Sequence, residues 1–95
     1  MNEYETTYII DGSLSDEEVS QIVEQYSEEV KKQGGEITGQ NFWGKQKLAY
    51  DINGKTEGFY VTMNFKSEPR VPRELERLFK LNDRVLRSIV VKTGG

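Results

Sequence analysis

Between Ser15 and Gly34 the chain specifies one helix from its cap to its terminator, with a strand pattern abutting each end. Ser15 and Glu18 have the Ser-x-x-Glu spacing of a capping box, in which each side chain satisfies a backbone N–H that the first helical turn leaves free. Leu14, just ahead of the cap, is placed to staple onto Val19. Val19, Ile22, Val23, Tyr26 and Val30 recur with a period of about 3.6, leaving Glu17, Gln21, Glu24, Glu28 and Lys31 on the opposite side. Lys31 and Lys32 meet the negative end of the helix dipole, and Gly34 can take the left-handed conformation that ends a helix. A helix with one apolar stripe must lie on an apolar surface, and a chain of 95 residues offers only what its own strands present.

Those strands follow from the remaining pattern. Tyr4–Ile10 is β-branched and aromatic and reads as the first strand, ended by Asp11-Gly12-Ser13. A second strand runs from Ile37 to Ile52, interrupted or bulged near Gly39 and Gly44. Asn53-Gly54 opens a turn extending through Gly58, and Phe59–Phe65 is the third strand. Pro69 and Pro72 bracket the start of a second helix with a buried stripe of Leu75, Leu78 and Phe79, closed by Asn82-Asp83. Val85–Lys92 is the fourth strand, and residues 93–95 read as a frayed tail of a single domain, 1–95. The order β-α-β-β-α-β is the split, ferredoxin-like arrangement of the α+β class: a four-stranded antiparallel sheet with two helices on one face. No element remains to cover the other face.

Strand parity assigns residues to the two faces. Phe59, Val61, Met63 and Phe65 meet the helices with Thr6, Tyr8, Ile10, Leu86 and Val90. The open face receives Glu5, Thr7, Ile9, Tyr60, Thr62, Asn64, Arg87, Ile89 and Val91. Tyr60 beside Arg87 offers stacking and phosphate contact, the combination common on RNA-binding sheets, although one Tyr and one Arg also suit an ordinary surface. We read Trp43 as packing on the first helix at the core edge, the usual fate of a large aromatic. Its other possible place is beside Lys45 and Lys47, which serve equally as a phosphate track or as charges guarding an edge strand.

Composition narrows the chemistry. Cys and His are both absent, which removes thiol nucleophiles, disulfides, the usual general base near neutral pH and the commonest metal ligand. No apolar run approaches the ~20 residues that span a bilayer, and Met-Asn-Glu-Tyr lacks a signal-peptide pattern, so a soluble cytosolic protein is expected. The net charge of −3 conceals an asymmetry. Residues 1–35 carry two lysines against nine acids (−7), and residues 36–95 carry eleven Lys/Arg against seven acids (+4). A polyanion responds to the local field more than to the total.

The segment Trp43-Gly44-Lys45-Gln46-Lys47-Leu48-Ala49-Tyr50-Asp51-Ile52 sets an aromatic, a glycine and two lysines directly ahead of an apolar run. Together with Gly35-Glu36-Ile37 before it and Val85-Leu86-Arg87 and Val91-Lys92 near the end, it resembles the bacterial small-subunit ribosomal protein six family, in register from Tyr4 through Lys92. The resemblance implies a structural protein of the cytoplasmic ribosome, without catalysis, cofactor or metal. It implies binding to the central domain of small-subunit (16S) ribosomal RNA together with small-subunit ribosomal protein eighteen, the free chain being a monomer. The RNA-facing residues it implies are Tyr4, Lys45, Lys47, Lys55, Arg87 and Lys92; those facing the protein partner are Leu48, Tyr50, Ile52 and Tyr60. Gln46 stands where the family usually has Arg or Lys, removing one charge-assisted phosphate contact, and Asp51 stands where Pro is common.

Other functions of the same topology fit less well. Small phosphatases orient phosphate and water with an Arg and an Asn, and Arg87 and Asn64 are available. The first helix, however, begins Leu-Ser-Asp-Glu-Glu, which repels an anion. Without the resemblance, a small-molecule-binding regulatory module is the alternative reading. A ubiquitin-like fold suggested by Gly94-Gly95 is excluded, because the first helix follows a single strand and no opening hairpin.

Overall fold

The computed structural model describes residues 1–94. The elements are β1 (Asn2–Asp11), α1 (Asp16–Lys32), β2 (Glu36–Ile52), β3 (Lys55–Ser67), α2 (Arg70–Leu81) and β4 (Val85–Gly94). The strands form one antiparallel sheet in the order β2-β3-β1-β4, so α1 joins β1 to β2 across β3, and α2 joins β3 to β4 across β1. This is the ferredoxin-like arrangement expected from the element order.

Local chemistry accounts for the element ends. The Glu18 N–H donates to Ser15 Oγ at 3.2 Å while the Ser15 N–H donates to Glu18 Oε1 at 3.0 Å, so the capping box is formed. Gly34, at φ 85°, carries the chain out of α1. Asn53 and Gly54 both have positive φ, 50° and 78°, as a tight hairpin turn requires. That two-residue turn closes β2 onto β3 at Ile52↔Lys55, so the third strand begins at Lys55 and not at Phe59.

The core lies between the helices and one face of the sheet. Tyr4, Thr6, Tyr8 and Ile10 of β1 alternate onto that face and stand opposite Phe65, Met63, Val61 and Phe59 of β3. α1 contributes Val19, Ile22, Tyr26 and Val30, and α2 contributes Val71, Leu75 and Phe79. Three rings meet at the centre: Tyr26–Phe79 at 4.5 Å, Tyr8–Phe79 at 4.9 Å and Tyr8–Tyr26 at 5.4 Å between centroids. Asn82 Nδ2 donates to Tyr26 Oη at 2.8 Å and ties the end of α2 to α1. Tyr8 Oη is buried without a partner among the described residues. Burial first, and the neighbouring Tyr26 second, push its hydroxyl well above the ordinary range, so it stays neutral.

Two expectations are corrected in β4. The register shifts between Ile9↔Arg87 and Ile10↔Val85, which places Leu86 at an irregularity and turns Val85, with Val90, onto the core in its stead. Thr93 and Gly94 are not frayed: they continue β4, with Gly94 opposite Glu3. A Cβ on Gly94 would fall 2.6 Å from Glu3 Oε2. Gly95 lies outside the described residues. Among those residues no helix is long and apolar enough to cross a membrane.

Candidate protein and nucleic-acid interface

With both helices on one face, the other presents Glu5, Thr7 and Ile9 of β1, Tyr60, Thr62 and Asn64 of β3, and Arg87, Ile89 and Val91 of β4. Ile89 and Val91 are exposed. Ile9 is only 8 % exposed although it stands on this side. Its cover comes from Gly58 and from the tip of β2. A Cβ at Gly58 would lie 2.4 Å from Ile9 Cγ2 and 3.6 Å from Leu48 Cδ2, so the missing side chain is what lets both residues settle there.

The tip of β2 reaches this position because pairing with β3 lapses between Lys47↔Glu57 and Ile52↔Lys55. Residues 48–51 are thereby released from the ladder and bend over the open face. The Arg87 guanidinium sits 5.5 Å from the centroid of the Tyr50 ring, a cation–π contact joining this tip to the opposite edge strand. Leu48, Tyr50 and Tyr60 thus share one surface with Arg87. Ile52 stands at the hairpin closure opposite Lys55, away from that group.

Trp43 also belongs to the open face, against the expectation that it packs on the first helix. A register shift between Phe42 and Gly44 inserts Trp43 as an extra residue, and Gly44 takes φ 83° to accommodate it. Trp43 is 57 % exposed, and its Nε1 donates to Thr62 Oγ1 at 2.9 Å. Thr62 Oγ1 lies 3.3 Å from Thr7 Oγ1. Since an indole N–H only donates, Thr62 accepts from it, and its own proton is free to serve Thr7. A polar chain therefore crosses three strands beneath an exposed indole. Phe42, one residue earlier, takes the helix side and lies 6.0 Å from Phe59 between centroids.

The expected RNA-facing residues do not converge. Arg87 alone lies on the open face. Lys45 and Lys47 stand opposite Phe59 and Glu57 on the helix side of the sheet, both exposed, with Lys45 Nζ 5.4 Å from the Phe59 centroid. Lys92 pairs opposite Tyr4, also on the helix side, beside Arg73 and Pro72 in a shallow hollow between α2 and β4. Tyr4 itself is a core residue, 8 % exposed and stacked on Phe65 at 5.6 Å; only its edge borders that hollow. Lys55 Nζ pairs with Asp11 Oδ2 at 3.2 Å at the hairpin base. Parity accounts for most of these placements. Trp43 and Thr62 were not singled out as a pair, because the bulge that joins them leaves no mark in strand periodicity beyond Gly44.

The family described as Ribosomal protein S6 matches residues 3–92. The chain belongs to the ribosomal protein S6 family. Small ribosomal subunit protein bS6 of Caldanaerobacter subterraneus subsp. tengcongensis is 46% identical over 93 residues, covering 98% of each chain. The bS6 protein of Thermoanaerobacter pseudethanolicus is 47% identical with the same coverage, and that of Clostridium acetobutylicum is 40% identical over 96% of each chain. The crystal structure of 30S ribosomal protein S6 from Thermotoga maritima matches with a TM-score of 0.91 at 25% identity, covering 97% of this chain and 87% of that one.

In this S6-family chain the Asp11–Lys55 pair has a measurable signature. Burial raises the Asp11 carboxyl, but the Ser13 N–H (2.9 Å), the Ser13 hydroxyl (2.8 Å) and Lys55 together bring it below the usual carboxylate range. A carboxyl depressed in the folded state adds stability above its unfolded pKa of about 4, and that stability is lost as pH falls through the folded value. Lys55→Ala removes part of the depression, so Asp11 is expected to titrate at higher pH and acid unfolding to begin earlier. Carboxyl chemical shifts followed through an acid titration check this; an unmoved Asp11 curve would mean that Ser13 alone holds the charge.

Proposed function

We propose that this chain is a structural protein of the small ribosomal subunit that binds the central domain of 16S ribosomal RNA jointly with small-subunit ribosomal protein eighteen. The observation that carries the reading is the S6 match over residues 3–92, which runs through both βαβ halves. The open sheet face supports the protein-binding half. Trp43, Tyr50, Ile89 and Val91 are large, exposed and on or over one side of the sheet, the anatomy of a surface awaiting a partner. Tyr60 and Leu48 complete it. The RNA half is supported by Arg87 on that face and by Lys45 and Lys47, exposed on the helix side of β2, cations suited to phosphate contacts that position the RNA without reading its sequence. The role is assembly by binding, with no bond made or broken.

Binding to a central-domain ribosomal RNA junction, by the chain alone and mixed with ribosomal protein eighteen, tests the proposal at two salt concentrations. Weak binding alone and tight, salt-sensitive binding by the pair is the expected result. Lys47→Ala is expected to make the dependence of log affinity on log salt shallower by about 0.7–0.9. An unchanged slope would make Lys47 a guard of the β2 edge. Absence of binding by chain and pair alike would leave a ferredoxin-like regulatory module as the standing reading.

A further inference from the structure

We infer that the outward ridge of α2 is a second contact surface for the phosphate backbone of ribosomal RNA, an inference that rests on the RNA-binding reading above. α2 buries Val71, Pro72, Leu75 and Phe79. At about 100° per residue, the arc directly opposite those residues holds Arg70, Arg73, Arg77 and Lys80. Glu74 and Glu76 fall to either side of this arc, so the ridge itself is cationic along its length. Its charges recur about every 5 Å along the helix axis.

Most of this charge is uncommitted. Arg77 engages Glu74, with Nε donating to Oε2 at 3.0 Å and Nη2 to Oε1. Among the described residues, no carboxylate lies within ion-pair distance of Arg70, Arg73 or Lys80, and all three are exposed. No acidic residue occupies the first turn of α2, where a carboxylate would be favoured by the helix dipole and arginines are not. An external polyanion relieves that repulsion. On its β4 side the ridge continues through Arg73 into the hollow of about 230 Å³ that contains Lys92 and the edge of Tyr4, with Glu76 as its one acid against two cations. Two residues that stood apart from the open face thus acquire a common surface with the helix.

The chemistry of the ridge favours nucleic acid over protein. Protein interfaces centre on aromatic or aliphatic anchors, and α2 exposes only Leu81, at the far end of the ridge. Such anchors lie on the open sheet face. Of the α1 acids, Glu24 and Glu28 are exposed beside Gln40 and Phe42 of β2, on the flank away from β4, while Glu29 lies near the C-terminal end of α2. The field is therefore most favourable to a polyanion at the Arg70–Arg73 and β4 side.

The test compares three full-length chains, each with ribosomal protein eighteen, on the same central-domain RNA junction: the unaltered chain, Arg70→Ala/Arg73→Ala/Lys80→Ala, and Arg87→Ala. Alanine is the strongest helix former, so the exposed triple change keeps α2 intact, which thermal unfolding verifies. The triple variant is expected to lose about tenfold or more in affinity and to show a salt slope shallower by about 2. Its affinity for the protein partner without RNA is expected to stay unchanged. Unaltered RNA affinity and slope in the triple variant, with weakening by Arg87→Ala, would overturn the ridge and leave the RNA reading standing. Loss of partner affinity without RNA would reassign the ridge to the protein. Failure of the unaltered pair to bind RNA even at low salt would overturn the RNA reading, and the ridge with it.

Discussion

Leu75→Ala is expected to lower the unfolding free energy by about 2–5 kcal/mol, the range for a leucine cut down to alanine in a packed interior. Leu75 is fully buried in the cluster where α2 meets the sheet. Capping at the start of its helix adds little to that packing. Pro69 at the N-cap is in the right-handed helical region and makes no side-chain hydrogen bond to the first turn. A twelve-residue helix does not persist alone in water, so α2 stands by its buried face. In a domain of this size the loss corresponds to a fall in melting temperature on the order of 10–30 °C. Denaturant midpoints measured beside Leu81→Ala provide the comparison, since Leu81 is 68 % exposed and its truncation is expected to matter within about ±0.5 kcal/mol. A Leu75→Ala change as small as that of Leu81→Ala would mean that α2 packs through other residues.

Gly58→Ala is expected to cost about 1–3 kcal/mol by overpacking, and its effect reaches the candidate interface directly. The added Cβ would sit 2.4 Å from Ile9 Cγ2 and 3.2 Å from the Ile10 carbonyl oxygen, where carbon atoms prefer about 3.5–4.0 Å. Ile9 is β-branched and stiff at χ1, and it lies in β1 between β3 and β4 with little freedom to yield. Leu48 rests on the same glycine, so the tip of β2 and its Tyr50–Arg87 contact are expected to lift with it. Combining Gly58→Ala with Ile9→Ala discriminates the cause. If the clash is with Cγ2, the double variant costs less than the two single changes together by at least about 0.5 kcal/mol. Strict additivity would place the strain elsewhere.

Element order, the α1 cap and the Asn53-Gly54 turn were all legible in the sequence because each is decided within a few residues. The capping box needs only Ser15 and Glu18, and the turn needs only two residues able to take positive φ. Face assignment in β1 and β3 was legible for the same reason, since alternation is a property of the strand itself. The interface was legible only in part. Leu48, Tyr50 and Tyr60, expected to face the protein partner, share a surface with Arg87, which was expected to face RNA, whereas Ile52 lies at the hairpin closure, Tyr4 belongs to the core and Lys92 to the α2 flank.

The sequence by itself determined which segments become helices and strands, and which side of each regular segment is apolar. Only the tertiary structure decided where the irregular residues went. Register shifts at Trp43, at Leu86 and through 48–51 each break the two-residue alternation, and their positions are set by how neighbouring strands pair. A residue after a bulge changes face although its own neighbours in sequence are unaltered. Partners such as Trp43 with Thr62, or Tyr50 with Arg87, are brought together from distant parts of the chain by the order β2-β3-β1-β4, and no local pattern in either segment encodes the other.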